Sequence, residues 1–147
     1  ADGSMDVVCV ARQVFKVMRF NPQMEGKLYP GGEVEFLEPL SDADPGMTEA
    51  VLAACKELYV LMDVPFGPVK REVFNSFTLA HKMGLSFQQE YQLLQLASEK
   101  VRLQFLLDHL RQTNKVLQQL NRTRELIEMN GHFRNYDPLD FKDYKVE

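Results

Sequence analysis

A long stretch of this chain, from Leu85 to Asn130, contains neither glycine nor proline. These two residues are the usual breakers of secondary structure, so the stretch predicts helix. Within it, apolar residues recur at steps of three, four or seven, which draws one stripe along a helix. The stripe consists of Leu103, Leu107, Leu110, Leu117, Leu120 and Ile127. One helix over 98–130 would span roughly 50 Å. That length predicts the central helix of a helical bundle. Such a helix more often supports or binds a partner than takes part in catalysis.

The composition predicts one soluble globular domain and excludes some classes of partner. The chain has 147 residues, of which 45% are apolar and 26% are charged, and its net charge is −4. The acidic excess lies in residues 1–85, which carry eight basic and twelve acidic side chains. Because no basic face is implied, nucleic acid is disfavoured as a partner. No run reaches the roughly 18 apolar residues of a membrane span and no signal peptide opens the chain, so we expect no membrane partner.

The two cysteines, Cys9 and Cys55, lie far apart in sequence and have no metal-like spacing. Two isolated thiols in a chain of this length favour packing roles in a reducing compartment. We therefore expect the protein to be cytoplasmic.

The first part of the chain is rich in residues that favour strands. Residues 5–20 predict two strands joined near Arg12 and Gln13, or one bent strand. A third strand is expected at 27–29, followed by a glycine turn and a last strand at 33–38. These strands are too few to close a barrel, which would leave a sheet edge with unpaired backbone groups.

Capping residues predict where the helices begin and end. Asp44 followed by Pro45 predicts the start of a first helix. Its expected buried face consists of Met47, Val51, Ala54, Leu58 and Leu61. A short helix is expected over 73–83, ending at Gly84 in a left-handed cap.

The second half of the chain carries two further helix starts. Ser86 with Gln89 predicts a capping box. Ser98 predicts a break in the chain and the start of the long helix, which we expect to end at Gly131.

No local pattern points to catalysis or to a bound metal. The three histidines, His81, His109 and His132, form no helical pair with each other or with a cysteine. His81 is expected to be partly buried. Neither a nucleophile elbow nor a phosphate-binding loop is present. We therefore expect no enzymatic activity, no cofactor and no metal.

Several strings, taken in order, resemble the N-terminal substrate-binding domain of Lon proteases, the LON domain. Residues 2–17 resemble its strand pair, residues 79–89 its short helix, turn and capped helix, and residues 93–107 the junction into its long helix. Two shorter strings, at 26–29 and 130–133, are similar to those of stand-alone bacterial relatives.

This resemblance implies a PUA-like β-barrel followed by a helical bundle, and recognition of polypeptides without catalysis. Two departures limit what carries over. The opening segment of the family has no counterpart before Ala1, and the ATPase and Ser-Lys proteolytic motifs of the full protease are missing from this sequence. ATP-dependent proteolysis is therefore not implied for this chain.

We predict an α+β fold, with a partial PUA-like β-barrel followed by a helical bundle that has one long C-terminal helix. The expected units are an incomplete β subdomain at 1–44, a helical subdomain at 45–131 and a tail at 132–147. The expected function is a non-catalytic polypeptide-binding or adaptor module that takes unfolded or extended polypeptide. The alternative is a fragment or accessory subunit of an ATP-dependent protease, with catalysis on another chain.

The tail concentrates aromatic residues beyond the expected helix end. They are Phe133, Tyr136, Phe141 and Tyr144. Aromatic side chains either cap the protein's own bundle or dock a partner, because they dominate binding hot spots. These four residues are therefore the candidate partner-binding residues.

Overall fold

A computed structural model describes residues 3–69 and 74–134, the last four of them as helical backbone only. Two strands precede four helices. They are β1 (Phe15–Asn21), β2 (Gly31–Phe36), α1 (Pro45–Leu61), α2 (Ser76–Ala80), α3 (Phe87–Gln95) and α4 (Glu99–Arg134). The fold is therefore mixed α+β with one long C-terminal helix, as the sequence predicted.

The two strands form an antiparallel hairpin. Its register places Phe15 opposite Phe36, and the pairing shifts irregularly between Val17 and Arg19. At Gly32 a Cβ atom would lie 2.4 Å from the carbonyl oxygen of Arg19. No larger residue fits there, which explains the glycine at the start of β2.

Among the described residues the sheet has two strands, fewer than the three or four that we expected. Residues 5–13 and 27–29 have no strand assignment. The residue types of 5–13 suit a strand, but a strand exists only when a second strand completes its hydrogen bonds. No described strand pairs with 5–13 to do so.

Helix α1 begins as predicted. The Oδ1 atom of Asp44 accepts a hydrogen bond from the backbone N–H of Gly46 at 2.8 Å, and Pro45 occupies the first turn. The buried face centres on Val51, Cys55 and Leu58.

Helix α2 is shorter than expected because its cap lies later in the chain. The Oδ1 atom of Asn75 accepts from the backbone N–H groups of Phe77 and Thr78 at 3.0 and 3.1 Å. Gly84 has a φ of 71°, as predicted for a left-handed residue after this helix.

The capping box of α3 is confirmed. The Gln89 backbone N–H donates to Ser86 Oγ at 3.3 Å, and Gln89 Oε1 accepts from the Ser86 backbone N–H at 2.9 Å.

The break before α4 is also confirmed, because Leu96 is extended and Ser98 Oγ accepts from the Val101 N–H at 3.2 Å. The predicted end at Gly131 is wrong, since α4 continues to Arg134. A glycine inside a helix costs only about 1 kcal/mol, so it does not end a helix by itself.

Helices α1 and α4 run side by side in the same direction. Asn114 contacts Ala54, Gln118 contacts Glu57 and Asn121 contacts the carbonyl of Leu61. The residue numbers of the contacts therefore increase along both helices, which makes them parallel. The core lies mainly between these helices and α2. Its buried residues are Val51, Cys55, Leu58, Leu79, Ala80, Met83, Leu93, Leu103, Leu106, Leu107 and Leu110.

The long apolar stripe is buried over only part of its length. Leu103, Leu107 and Leu110 are buried and Leu117 is half-buried, but Leu120 and Ile127 are exposed. The stripe therefore faces the core only along the part of α4 that packs against the other helices. Helix α1 ends opposite Asn121, so no described element covers α4 beyond that point.

Candidate functional site

A cleft of about 830 Å³ lies between the base of the hairpin and the helices. The start of β1 and the end of β2 form one wall, while α2, α3 and the turn before α4 form the other. The apolar part of the lining consists of Ala11, Val14, Phe15, Phe36, Leu37, Pro39, Phe77, Leu94, Leu96 and Ala97. The remaining lining is polar and consists of Arg12, Gln13, Glu38, Asn75, Thr78 and Arg102. The cleft thus combines a mostly apolar floor with a few hydrogen-bonding groups.

The hairpin beside this cleft leaves its apolar side chains exposed. Phe15 and Phe36 pack edge to face with ring centroids 6.2 Å apart, yet both remain more than half exposed. Val17, Met18 and Phe20 are more than half exposed as well. In the described chain each strand pairs only with the other, so each also has an outer edge without a partner strand.

A buried ion pair holds Arg102, one of the polar residues that line the cleft. Arg102 Nη2 lies 2.7 Å from Glu99 Oε2, and both side chains are less than a tenth exposed. The carboxylate also accepts two hydrogen bonds from Ser76, one from its backbone N–H at 2.6 Å and one from its hydroxyl at 2.8 Å. The pair therefore attaches the first residue of α2 to the first turn of α4.

The remaining donors of Arg102 fasten the turn between α3 and α4. Its Nη1 atom donates to the carbonyl oxygens of Leu96 and Ala97, at 2.5 and 3.0 Å. The guanidinium stands 4.7 Å from the ring centre of Phe77. Arg102 is thus fixed by an ion pair, hydrogen bonds and a cation–π contact. These contacts indicate a structural role in the cleft wall rather than a chemical one.

The segment that leaves β2 is held against the same end of α4. The Leu40 N–H donates to the Ala97 carbonyl at 2.9 Å, and the Glu99 N–H donates to the Leu40 carbonyl at 3.1 Å. The Asp42 carboxylate accepts from Ser98 Oγ at 2.7 Å and from the Lys100 N–H at 3.1 Å. These contacts fix one wall of the cleft to the bundle.

The hydrogen bonds to Asp42 also change its acidity. The Ser98 hydroxyl, and then the Lys100 N–H, stabilise the charged carboxylate and lower the pKa of Asp42 below its ordinary value of 3.8. A negative charge is favourable here because the helix N-terminus presents unpaired N–H groups.

His109 joins α4 to the loop after α2. Its Nε2 atom lies 3.0 Å from the Met83 carbonyl oxygen, and its Nδ1 atom lies 3.3 Å from Gln89 Nε2. A carbonyl only accepts, so Nε2 carries the hydrogen. The histidine therefore has a positioning role in the bundle.

The other histidines do not assemble a site in the described residues. His81 follows α2 and is exposed, so the expectation that it is partly buried is wrong, and the side chain of His132 lies outside the described part of the chain. The described part of the chain contains no group of three or more histidine, cysteine or acidic side chains that could hold a metal. No described helix is long and apolar enough to cross a membrane.

The predicted tail residues cannot be placed at the cleft. Phe133 falls in the last turn of α4, of which the structure describes only the backbone. Tyr136, Phe141 and Tyr144 lie outside the described residues. Their role in binding stays a prediction.

Sequence reasoning missed the residues that build the cleft wall. Asn75, Ser76 and the Glu99–Arg102 pair come from segments far apart in the chain. The available signal was the spacing of Glu99 and Arg102, which places them on the same side of a helix. This spacing is common on exposed helix faces and does not by itself predict burial.

Comparisons with known proteins identify no relative. No protein-family model matches the chain, and no curated protein or solved structure matches it significantly.

Proposed function

We propose that this chain is a non-catalytic polypeptide-binding or adaptor module, similar to the substrate-binding domain of Lon proteases. The observation that carries the proposal is the cleft of about 830 Å³ beside an exposed apolar hairpin. Apolar clefts with a few polar groups are the usual form of a binding site. Within this proposal the hairpin belongs to a partial PUA-like barrel, and the protein acts in the cytoplasm.

The client would be an unfolded or extended polypeptide. Apolar side chains exposed by unfolding can enter the cleft, whose apolar lining includes Leu94, Phe15 and Phe36. The client backbone can add to an outer edge of the hairpin, since its N–H and C=O groups match those of a strand. Affinity should be modest because ordering a flexible chain opposes binding.

One observation favours the alternative, a fragment or accessory subunit of an ATP-dependent protease. In such proteases the long helix continues toward the ATPase, and α4 here runs past Gly131 to Arg134. The helix therefore does not end at the string 130–133, which resembles stand-alone relatives.

Calorimetry against permanently unfolded, alkylated polypeptides tests the proposal. Leu94→Asp should weaken binding at least about tenfold, because a charge would replace an apolar contact in the cleft. Val60→Asp is the matched control, since Val60 is exposed on α1 and does not line the cleft. It should bind as the parent does. Deleting residues 132–147 in parallel tests the tail prediction.

Two outcomes would count against the proposal. Peptide or nucleotide turnover by the purified chain alone would contradict a non-catalytic role. If calorimetry detects no binding of any unfolded polypeptide to the parent, and the two variants give the same result as each other, only the subunit alternative remains.

A further inference from the structure

Residues 5–13 form an exposed apolar segment that leads directly into β1. Its apolar side chains are between 74% and 91% exposed at Met5, Val7, Val8 and Val10, and Cys9 is exposed too. The segment has no helix or strand assignment, although valine favours strands. It lies outside the hydrophobic core, so its exposure reflects the lack of a partner strand in the described chain.

The segment is complementary to itself in one antiparallel register. When Cys9 of one copy lies opposite Cys9 of another, Val8 faces Val10 and Val7 faces Ala11. The same register places Asp6 of each copy opposite Arg12 of the other. Cross-strand pairs of opposite charge or of β-branched residues stabilise such a ladder.

The charged pair selects this register over its neighbours. A shift by two residues in either direction places Asp6 opposite a valine, Val10 or Val14. Shifts by one residue place Asp6 opposite Ala11 or Gln13. Neither Asp6 nor Arg12 forms an ion pair with another described residue of its own chain. Both charges are therefore available to a second copy.

We propose that residues 5–13 form a self-association strand, which pairs antiparallel with the same residues of a second copy about a two-fold axis at Cys9. The interface is isologous, as expected for a symmetric dimer. Its area is small, since it consists of one strand from each chain, so the dimer is weak and depends on concentration. The self-association is argued from residues 5–13 and not from polypeptide binding, although Ala11, Arg12 and Gln13 also line the cleft.

Sedimentation of the full chain under reducing conditions, over a range of concentrations, measures the dimer. Asp6→Arg alone should raise its dissociation constant by about tenfold, because both symmetry-related pairs become like-charged. Arg12→Asp alone should do the same. The double variant, Asp6→Arg with Arg12→Asp, restores opposite charges in the same register and should restore the parent value.

Arg111→Asp is the matched control, because Arg111 is exposed on α4 and lies far from the segment in sequence. It should dimerise as the parent does. Circular dichroism of every variant should match the parent, since the changed residues lie outside the core.

Disulfide trapping tests the register. Diamide, which takes up two electrons and two protons per disulfide, should link the parent through Cys9, because opposite residues of a strand pair have suitable Cα separations. Cys9→Ser should remove the link and keep the dimer. In that background, Val7→Cys with Ala11→Cys should restore the link, and each single change should give much less.

The proposal is overturned if the chain remains monomeric up to about 1 mM, the range of weak association. It is also overturned if a dimer forms but the charge exchange does not restore it, or if the cysteine positions link in a different register.

Discussion

Glu99 and Arg102 lie one turn apart at the start of α4 and form an ion pair of 2.7 Å that is almost completely buried. The pair also holds Ser76 at the start of α2 and the carbonyls of the turn before α4. Two segments distant in sequence, the start of α2 and the turn that leads into α4, therefore meet on two charged side chains, and both contribute to the helical wall of the cleft.

Arg102→Met should destabilise the fold by roughly 3–5 kcal/mol, because it leaves the Glu99 carboxylate buried without its cation. Urea unfolding measures the change. Arg124→Met is the control, since Arg124 pairs with Glu128 at 3.1 Å while both side chains are largely exposed. That change should cost less than about 1 kcal/mol. Equal effects of the two variants would show that burial of the first pair has no energetic consequence.

Replacing both partners tests whether the uncompensated charge of Glu99 causes the loss of stability in Arg102→Met. The double variant Glu99→Leu with Arg102→Met leaves no uncompensated charge. It should therefore lose less stability than Arg102→Met alone, although Ser76 loses its acceptor. A double variant that is less stable than the single one would contradict this reasoning.

Leu110→Ala should cost about 2–5 kcal/mol, because Leu110 is fully buried among the core residues of α1 and α4 and the change leaves a cavity. Leu120→Ala removes the same atoms from an exposed position on the same helix. It should change the free energy of unfolding by no more than about 0.5 kcal/mol. Similar losses at both positions would mean that the stripe is covered along its whole length.

Asp42 should contribute to acid sensitivity. Its pKa is lower in the fold than its ordinary value of 3.8, because of the hydrogen bonds from Ser98 and Lys100. A carboxylate with a lowered folded pKa stabilises the fold above its unfolded pKa, and this stability is lost as the pH falls through the lower folded value. Asp42→Asn should therefore melt earlier than the parent at neutral pH, with the difference shrinking below about pH 4.

Asp63→Asn supplies the control for this pH series. Asp63 is exposed and has a φ of 55°, which asparagine also adopts readily. Its melting temperature at each pH shows the effect of removing one exposed carboxylate, and the Asp42 variant is compared with it. A constant deficit of the Asp42 variant across the series would show that the carboxylate charge is not responsible.

The two thiols should differ in reactivity. Cys9 is exposed, whereas Cys55 is fully buried, and burial raises the pKa of the Cys55 thiol. The thiolate is the reactive form, so an alkylating reagent should modify Cys9 at once and Cys55 only as the protein unfolds. Mass spectrometry over time in native buffer and in urea measures both rates. Comparable rates in native buffer would contradict the burial of Cys55.

The starts of three helices could be predicted from the sequence because capping acts within a few residues. Asp44 with Pro45, Ser86 with Gln89, and Ser98 each form the predicted cap. The period of the leucines likewise predicted one long helix, since helical spacing is a local property of the chain. Gly131 shows the limit of this reasoning. The conformational freedom of glycine allows a helix to end at that residue but does not force it to end there.

The tertiary structure alone decided which of these features are buried. Leu110 and Leu120 belong to one stripe, yet only Leu110 has α1 beside it, because α1 ends opposite Asn121. The buried ion pair depends on α2 meeting the start of α4, which no local pattern specifies. The number of strands also depended on distant partners, since a strand completes its hydrogen bonds only on another strand. Local chemistry therefore determined the helices and the starts of three of them, and long-range packing determined the strands, the core and the cleft.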